Sequence, residues 1–431
     1  MSGVGGQLPK GQLASDVTPD YRKRKALGRA QRFGPTRKEP GDRGPVSIAQ
    51  MDSLMDSLYY LVPAFLLTLA ILVAWLAVRR ARSPATATQP LWRKAAERIP
   101  LTVAALGLLA VALCGVYNAI AIQRFRAANP PLGRLYSVHG RQMHLYCIGA
   151  GEPAVVLEAG LGAASDVLDW SPLQTKLARY SRVCSYDRAG MGWSDGADTP
   201  RDADDIASDL HALLAEAGVR PPLVLIGSSR GGLYIRDYAA HFRGEVAGLV
   251  LLDSSSPYQE QRLRPNQGSR EWAIAVLQAQ YVLGLARLHG WCGHASPGPD
   301  RRYAEALAED NCVAHWSGVQ EFLAARETSA EVVLAPPLGT LPVLVVSRDP
   351  SRVLARPSAS ADEVARERVW NSMQEDLKDL STHSRRIIAR GSSHELAVDR
   401  QELIVREAAR IVEQIRGTAP EPADYRATVV E

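Results

Sequence analysis

Cysteine is scarce in this chain of 431 residues, and what is present does not form a metal site. Cys114, Cys147, Cys184, Cys292 and Cys312 show no C-x-x-C or Cys/His spacing, which removes the usual zinc frameworks. An excess of one charge is also missing. The formal net charge is only +4, and the basic residues crowd the first 50 positions and the flanks of the apolar segments. No nucleic-acid motif accompanies them, so they read as membrane-flanking or disordered and no nucleic-acid partner is expected. Cys114 lies in an apolar run and is most simply a small hydrophobe. The other four fall into two local pairs, Cys147 with Cys184 and Cys292 with Cys312, which suit disulfides of an oxidising compartment; four buried thiols are the alternative.

Apolar residues, by contrast, are plentiful at 46%. That suffices for a sizeable core, and the length fits one domain of about 250 to 290 residues plus an appendage. Residues 1–57 are rich in Gly, Pro, Arg and Lys and are expected to be a disordered basic tail, with translation from Met51 or Met55 as an alternative start. Residues 58–126 read as a transmembrane hairpin. Its two runs, 58–78 and 99–122, are each long enough to cross a bilayer, which takes about 20 apolar residues. Tyr59, Tyr60, Trp75 and Trp92 lie near the expected interfaces. The connecting loop holds Arg79, Arg80, Arg82, Arg93, Lys94 and Arg98, so the positive-inside bias places it in the cytoplasm. Arg124 and Arg126 oppose that bias, whereas the cysteine pairs favour it; the expectation is a multi-pass membrane protein with its large domain outside the cytoplasm.

From Gly133 the pattern changes to short β-type runs separated by helices. Residues 135–138 and 142–147 read as a hairpin, and 154–157, 182–186, 223–226, 246–252, 342–346 and 386–389 as buried strands. The alternation implies an α/β fold with a mostly parallel sheet flanked by helices. Residues 133–253 and 338–417 form its two parts. Between them, 254–337 is helical in pattern, carries Trp272, Tyr281, Trp291 and Trp316, and reads as an inserted cap; 418–431 reads as a C-terminal tail.

One stretch organises this domain. The apolar run Leu223 to Ile226 stops at Gly227-Ser228-Ser229-Arg230-Gly231, a G-x-S-x-G pattern with Ser229 at its centre. A serine on a tight strand-to-helix turn needs neighbours without bulk, which Gly227 and Gly231 supply. A helix over 233–242 would then aim its N-terminal N–H groups at the serine.

Together with Leu157-Glu158-Ala159-Gly160-Leu161-Gly162, Tyr186-Asp187-Arg188-Ala189-Gly190-Met191-Gly192-Trp193-Ser194 and Ser392-Ser393-His394, the elbow makes residues 133–417 resemble the α/β-hydrolase fold family. The resemblance implies Ser229 as nucleophile and His394 as base, with His383 its nearest rival. It implies Asp349 as the acid, because that residue follows the strand 342–346, and leaves Asp253 as the main alternative. Asp376 and Asp379 read as solvated. The oxyanion-hole N–H groups would come from Leu161 and Arg230. Two features depart from the family's common pattern: Ala159 and Ser228 stand where many relatives carry histidine, and Arg230 replaces an apolar residue. Asp187 and Arg188 are expected to hold a loop and Trp193 to touch substrate.

The expected activity is hydrolysis of carboxylic esters by a membrane-anchored serine hydrolase through an acyl-enzyme, with an apolar acyl substrate and no metal or organic cofactor. The alternatives are an acyltransferase, an amide, peptide or carbon–carbon bond hydrolase, and a ligand-binding protein without turnover.

Overall fold

The computed structural model describes residues 49–82, 90–161, 165–197, 201–263, 276, 279–290, 316–325, 328–329, 332, 336–422 and 424–431. The tail up to residue 48, Cys292, Cys312, Trp272 and Trp291 lie outside them. The described residues form two compact units, one drawn from 131–268 and 317–431 and the other from 46–130 and 269–316.

The second unit is built on two long helices, α1 (Ala49–Arg82) and α2 (Leu91–Ala128). Each holds a stretch long and apolar enough to cross a membrane, Tyr60–Arg80 and Arg98–Ala128, and most of both stretches is exposed. Both helices run beyond the expected 58–78 and 99–122. They approach closely where Gly115 faces Pro63, since a methyl on Gly115 would meet the proline Cγ at 2.5 Å. Aromatic and basic residues pair near the end of the first stretch, where Arg79 lies over Trp75 at 5.1 Å, and at the start of α2 ahead of the second, where Arg93 lies over Trp92 at 5.2 Å.

The first unit is a nine-stranded sheet in the order β1-β2-β4-β3-β5-β6-β7-β8-β9. Its strands are β1 (Arg134–Val138), β2 (Arg141–Ile148), β3 (Ala154–Glu158), β4 (Val183–Tyr186), β5 (Leu223–Ser228), β6 (Val246–Leu252), β7 (Val343–Ser347), β8 (Ser384–Ile388) and β9 (Thr428–Val430). β2 pairs antiparallel with β1 and β4, and every other pairing is parallel. The flanking helices are α3 (Asp166–Leu177), α4 (Ala203–Glu216), α5 (Gly231–His241), α6 (Trp316–Leu323), α7 (Ala361–Asp376) and α8 (Gln401–Ile415).

Period-2 side-chain alternation sends each strand's residues to two cores. Val156, Leu225, Leu249 and Val345 pack with Leu210, Leu213, Ile235 and Tyr238 of α4 and α5. Val155, Leu157, Val224, Ile226 and Val250 pack with Leu173, Leu177, Leu403 and Ile404 of α3 and α8. Being covered on both faces is why these strands read as continuous apolar runs. Helix starts follow local capping: Asp202 accepts from the Asp205 N–H, and Ser360 and Glu363 form a capping box on α7. One expectation is corrected. Residues 418–431 are not a tail outside the sheet, because 428–430 form β9 on the β8 edge.

Cys147 and Cys184 are directly opposed in the β2–β4 pairing and are joined as a disulfide. With the partners 37 positions apart in the sequence, loop closure in the unfolded chain gives it about 2–4 kcal/mol. Replacing both by Ala is expected to lower the unfolding free energy by that amount. Urea titration of the oxidised wild type, the reduced wild type and the double variant checks this, the last two behaving alike.

Candidate active site

Ser229 follows the last residue of β5 and precedes α5, with φ of +51°. A non-glycine residue in this left-handed region costs about 1–3 kcal/mol and persists only where its surroundings dictate it. They do so here. The Ser229 N–H donates to the Leu252 carbonyl at 2.9 Å, and its own carbonyl accepts from Ser255 N–H at 2.8 Å and Gly232 N–H at 3.2 Å. Bulk is excluded on both sides: a methyl on Gly227 would sit 2.7 Å from the Gly231 backbone, and one on Gly231 would sit 2.5 Å from the carbonyls of Glu158 and Ala159. The last contact brings the loop after β3 against the elbow. A methyl on Gly160 would lie 3.3 Å from the Ser229 Cβ.

That loop is held from below by Arg188. Its guanidinium donates to the Gly160 carbonyl at 2.7 Å and the Ala159 carbonyl at 3.1 Å, to Glu158 at 2.8 Å, to Asp166 at 3.0 Å, and to both oxygens of Glu321 on α6. A trans peptide sets N–H opposite C=O. Anchoring the Gly160 carbonyl therefore turns the Leu161 N–H away from the guanidinium. Three buried carboxylates face this one cation. Burial pushes the Asp166 carboxyl well up from its ordinary value and raises that of Glu158, and Arg188 only partly offsets either rise. Arg230 occupies the N-cap position of α5, so its N–H opens that helix.

His394 lies in the loop after β8, 36% exposed, with its Nδ1 donating to Asp253 Oδ2 at 2.6 Å. Asp253 directly follows β6. Because Ser228 and Leu252 are register partners, it stands one residue beyond the pairing, as Ser229 does on β5. The carboxylate is fully buried and also accepts from Trp370 Nε1 at 2.9 Å, from Arg348 N–H at 3.2 Å and from the Arg348 guanidinium at 3.2 Å. Arg348 in turn forks onto Glu367 and lies over the Trp370 ring at 4.7 Å, while that ring meets His394 edge-on at 5.8 Å.

The expected acid, Asp349, does not make this contact. Its carboxylate accepts from the N–H groups of Gly391 at 2.7 Å and Ser351 at 2.9 Å, which pins the turn after β7. Burial opposes the charge, but these bonds outweigh it and hold the carboxyl below its usual range. The structure thus pairs His394 with Asp253 and corrects Asp349 as the partner of the imidazole. His383 stacks on Tyr425 at 4.4 Å, beyond the start of β8. Arg348, Trp370, Glu367 and Glu321 were not singled out from the sequence; the Arg348-Asp349 pair just after β7 was the one available signal.

The loop after β4 is fixed by Asp187, which accepts from Ser165 Oγ at 2.8 Å, Val167 N–H at 3.2 Å and Trp193 N–H at 3.1 Å. Its Oδ2 also receives His144 Nδ1 at 2.7 Å, while His144 Nε2 faces the Leu132 carbonyl. Each ring nitrogen of His144 thus faces an acceptor, an arrangement that favours the imidazolium. Among the described residues one cluster gathers possible metal ligands, Asp204, Asp237 and His241 on α4 and α5. The imidazole lies between the two carboxylates, 3.6 and 3.2 Å away, and their pairing with it accounts for the cluster.

The model of the α/β hydrolase fold matches residues 153–313. The chain is 26% identical over 169 residues to the uncharacterized protein YbdG of Bacillus subtilis, covering 39% of this chain and 52% of that protein. It is 26% identical over 288 residues to an AB hydrolase superfamily protein of Gibberella zeae, covering 62% of this chain and 88% of the relative. It is 30% identical over 190 residues to a non-heme haloperoxidase of Rhodococcus erythropolis, covering 40% and 67%. The match thus spans about half the length of YbdG. This chain belongs to the α/β-hydrolase fold family.

His144 yields a pH prediction. Burial lowers its pKa, but the Asp187 hydrogen bond and charge together with the Leu132 carbonyl outweigh it, so the folded value lies above the ordinary one. Its stabilisation is therefore fully present below pH about 6.5 and is lost as pH rises through the raised folded value. Thermal unfolding of wild type and His144→Gln across this window checks it: the gap between them narrows as pH rises.

Proposed function

We propose that this chain is a membrane-anchored serine hydrolase acting on carboxylic esters with apolar acyl groups. The observation that carries the reading is the 2.6 Å bond from His394 to a buried Asp253 that lies in register beside the Ser229 elbow. Ser229 Oγ attacks the acyl carbon while His394 Nε2 takes its proton. The Asp253 carboxylate fixes the ring by accepting from Nδ1 and stabilises the imidazolium. Negative charge develops on the former carbonyl oxygen, to which the N–H groups of Leu161 and Arg230 donate. His394 then protonates the departing alcohol, and water, activated by the same imidazole, releases the acid from the acyl-enzyme.

Two exposed apolar helices support membrane attachment, and the Cys147–Cys184 disulfide supports a catalytic domain outside the cytoplasm. The basic residues between the helices favour the same orientation. A reporter fused to the C-terminus is expected to report the extracytoplasmic side, and cytoplasmic activity would reverse the orientation.

A fluorophosphonate probe is expected to label the wild type and not Ser229→Ala; equal labelling of both would remove Ser229 from its role. Asp253→Asn is expected to lower kcat on a short-chain aryl ester by about 10²–10⁴-fold. Asp349→Asn is expected to stay within a few-fold of wild type. The reverse order would return the acid to Asp349.

A further inference from the structure

A polar side chain inside an apolar helix calls for a partner. Asn118 lies within the stretch Arg98–Ala128 and is completely buried. Its partners come from the insertion between β6 and β7: Asn118 Nδ2 donates to the Tyr281 carbonyl at 2.9 Å, and its Oδ1 accepts from Arg287 Nε at 3.1 Å. The two backbones lie close together. Gly284, at φ +72°, has no room for a side chain, because a methyl would sit 2.6 Å from the Cys114 carbonyl and 2.9 Å from the Asn118 Cβ. Val282 packs against Ala119 and Ile122.

The depth of this contact can be read along α2. Gln123 Nε2 donates to the Tyr60 hydroxyl at 2.9 Å, and Tyr60 opens the first membrane-length stretch. Hydroxyl and amide together mark the polar boundary at that end, with Arg124 and Arg126 just beyond. Asn118 stands five residues further in, about 7–8 Å along the helix axis. An element seated there lies at the depth that an interfacial helix occupies, about 5–10 Å below the headgroups. Its surface suits that level. Leu288 is 60% exposed and Val276 51%, continuous in character with exposed Leu113, Val116, Tyr117 and Ile120 of α2. Arg287 keeps its aliphatic stem in this layer while its head reaches the amide, as long cationic side chains do at bilayer boundaries.

From this we infer that residues 279–290 form a membrane-surface element, docked on α2 through Asn118 and covered on their outer side by lipid. The bilayer is the partner, since the docking site is itself a membrane-length helix whose remaining faces are apolar and exposed. The inference rests on the membrane reading of α1 and α2. It adds a second attachment of the chain to the bilayer, made by the segment that separates β6 from β7, and it points to an ester substrate that partitions into lipid.

Photocrosslinking of the full chain tests it. The protein is reconstituted into phosphatidylcholine vesicles containing a phospholipid with a diazirine-bearing acyl chain, and adducts are mapped by mass spectrometry. In wild type, adducts are expected on both α1 and α2 and on the peptides covering 276–290. In Asn118→Leu, the insertion adducts are expected to fall about five-fold or more while those on α1 and α2 persist. Labelled helices with an unlabelled insertion would overturn the inference and leave the membrane anchor standing. An unlabelled hairpin would overturn the membrane reading itself. Unchanged insertion labelling in Asn118→Leu would remove Asn118 as the docking point.

Discussion

The unit that holds the nine-stranded sheet depends on one buried carboxylate. Asp253 has no exposed surface, yet it receives hydrogen bonds from His394, from the Trp370 indole, and from both the backbone and the guanidinium of Arg348. An ionised carboxylate without solvent is costly unless its lone pairs are satisfied. Here they are satisfied by groups from the loop after β8, from α7 and from the end of β7. The same bonds that make the charge tolerable also fix the orientation of the imidazole. Removing any one donor would therefore disturb both the burial of Asp253 and the aim of the His394 ring.

This arrangement explains why part of the site was legible in the sequence and part was not. Ser229 is marked by what flanks it, since only glycine fits where the Gly227 and Gly231 backbones meet each other and the β3 carbonyls. His394 is marked by its order, shortly after the last core strand. The carboxylate that meets His394 has no local pattern of its own. Both β6 and β7 are followed within two residues by an aspartate, and the choice is made by which carboxylate turns inward. Asp349 is followed by Pro350 and Ser351, and its side chain is consumed locally by the Ser351 N–H, the behaviour of aspartate at a turn. Asp253, at φ +38°, faces the loop that carries His394. The ninth strand was invisible for a related reason. Three exposed residues on a sheet edge carry almost no periodic signal, and β9 is fixed by pairing with β8.

A second buried ionic group lies beneath the loop after β3. Arg188 reaches the Ala159 and Gly160 carbonyls while binding Glu158, Asp166 and Glu321. The sequence suggested Arg188 as a loop holder, and the contacts agree with that reading. Glu321 could not be foreseen, because its position on α6 lies 133 residues away in the chain. Burial raises the pKa of Glu158 and Asp166 before any other cause, and with three carboxylates sharing one cation Arg188 offsets only part of that rise. The loop is thus tied to a residue of the insertion, and its geometry is not set by its glycines alone.

The insertion has a divided character. Among its described residues, 317–325 group with the sheet, where Glu321 meets Arg188, whereas 279–290 group with the hairpin, where Tyr281 and Arg287 meet Asn118. A segment serving only as a surface loop would need neither a buried ion pair at one end nor a polar contact with an apolar helix at the other. Each contact uses groups that would be expensive to bury unpaired, an arginine and carboxylates in the first and an asparagine amide in the second. A buried polar group is costly to misplace, so such contacts specify where their partners sit more strictly than apolar packing does. The insertion is therefore positioned in each unit by directional bonds, with apolar contacts such as Val282 on Ala119 and Ile122 adding area around them.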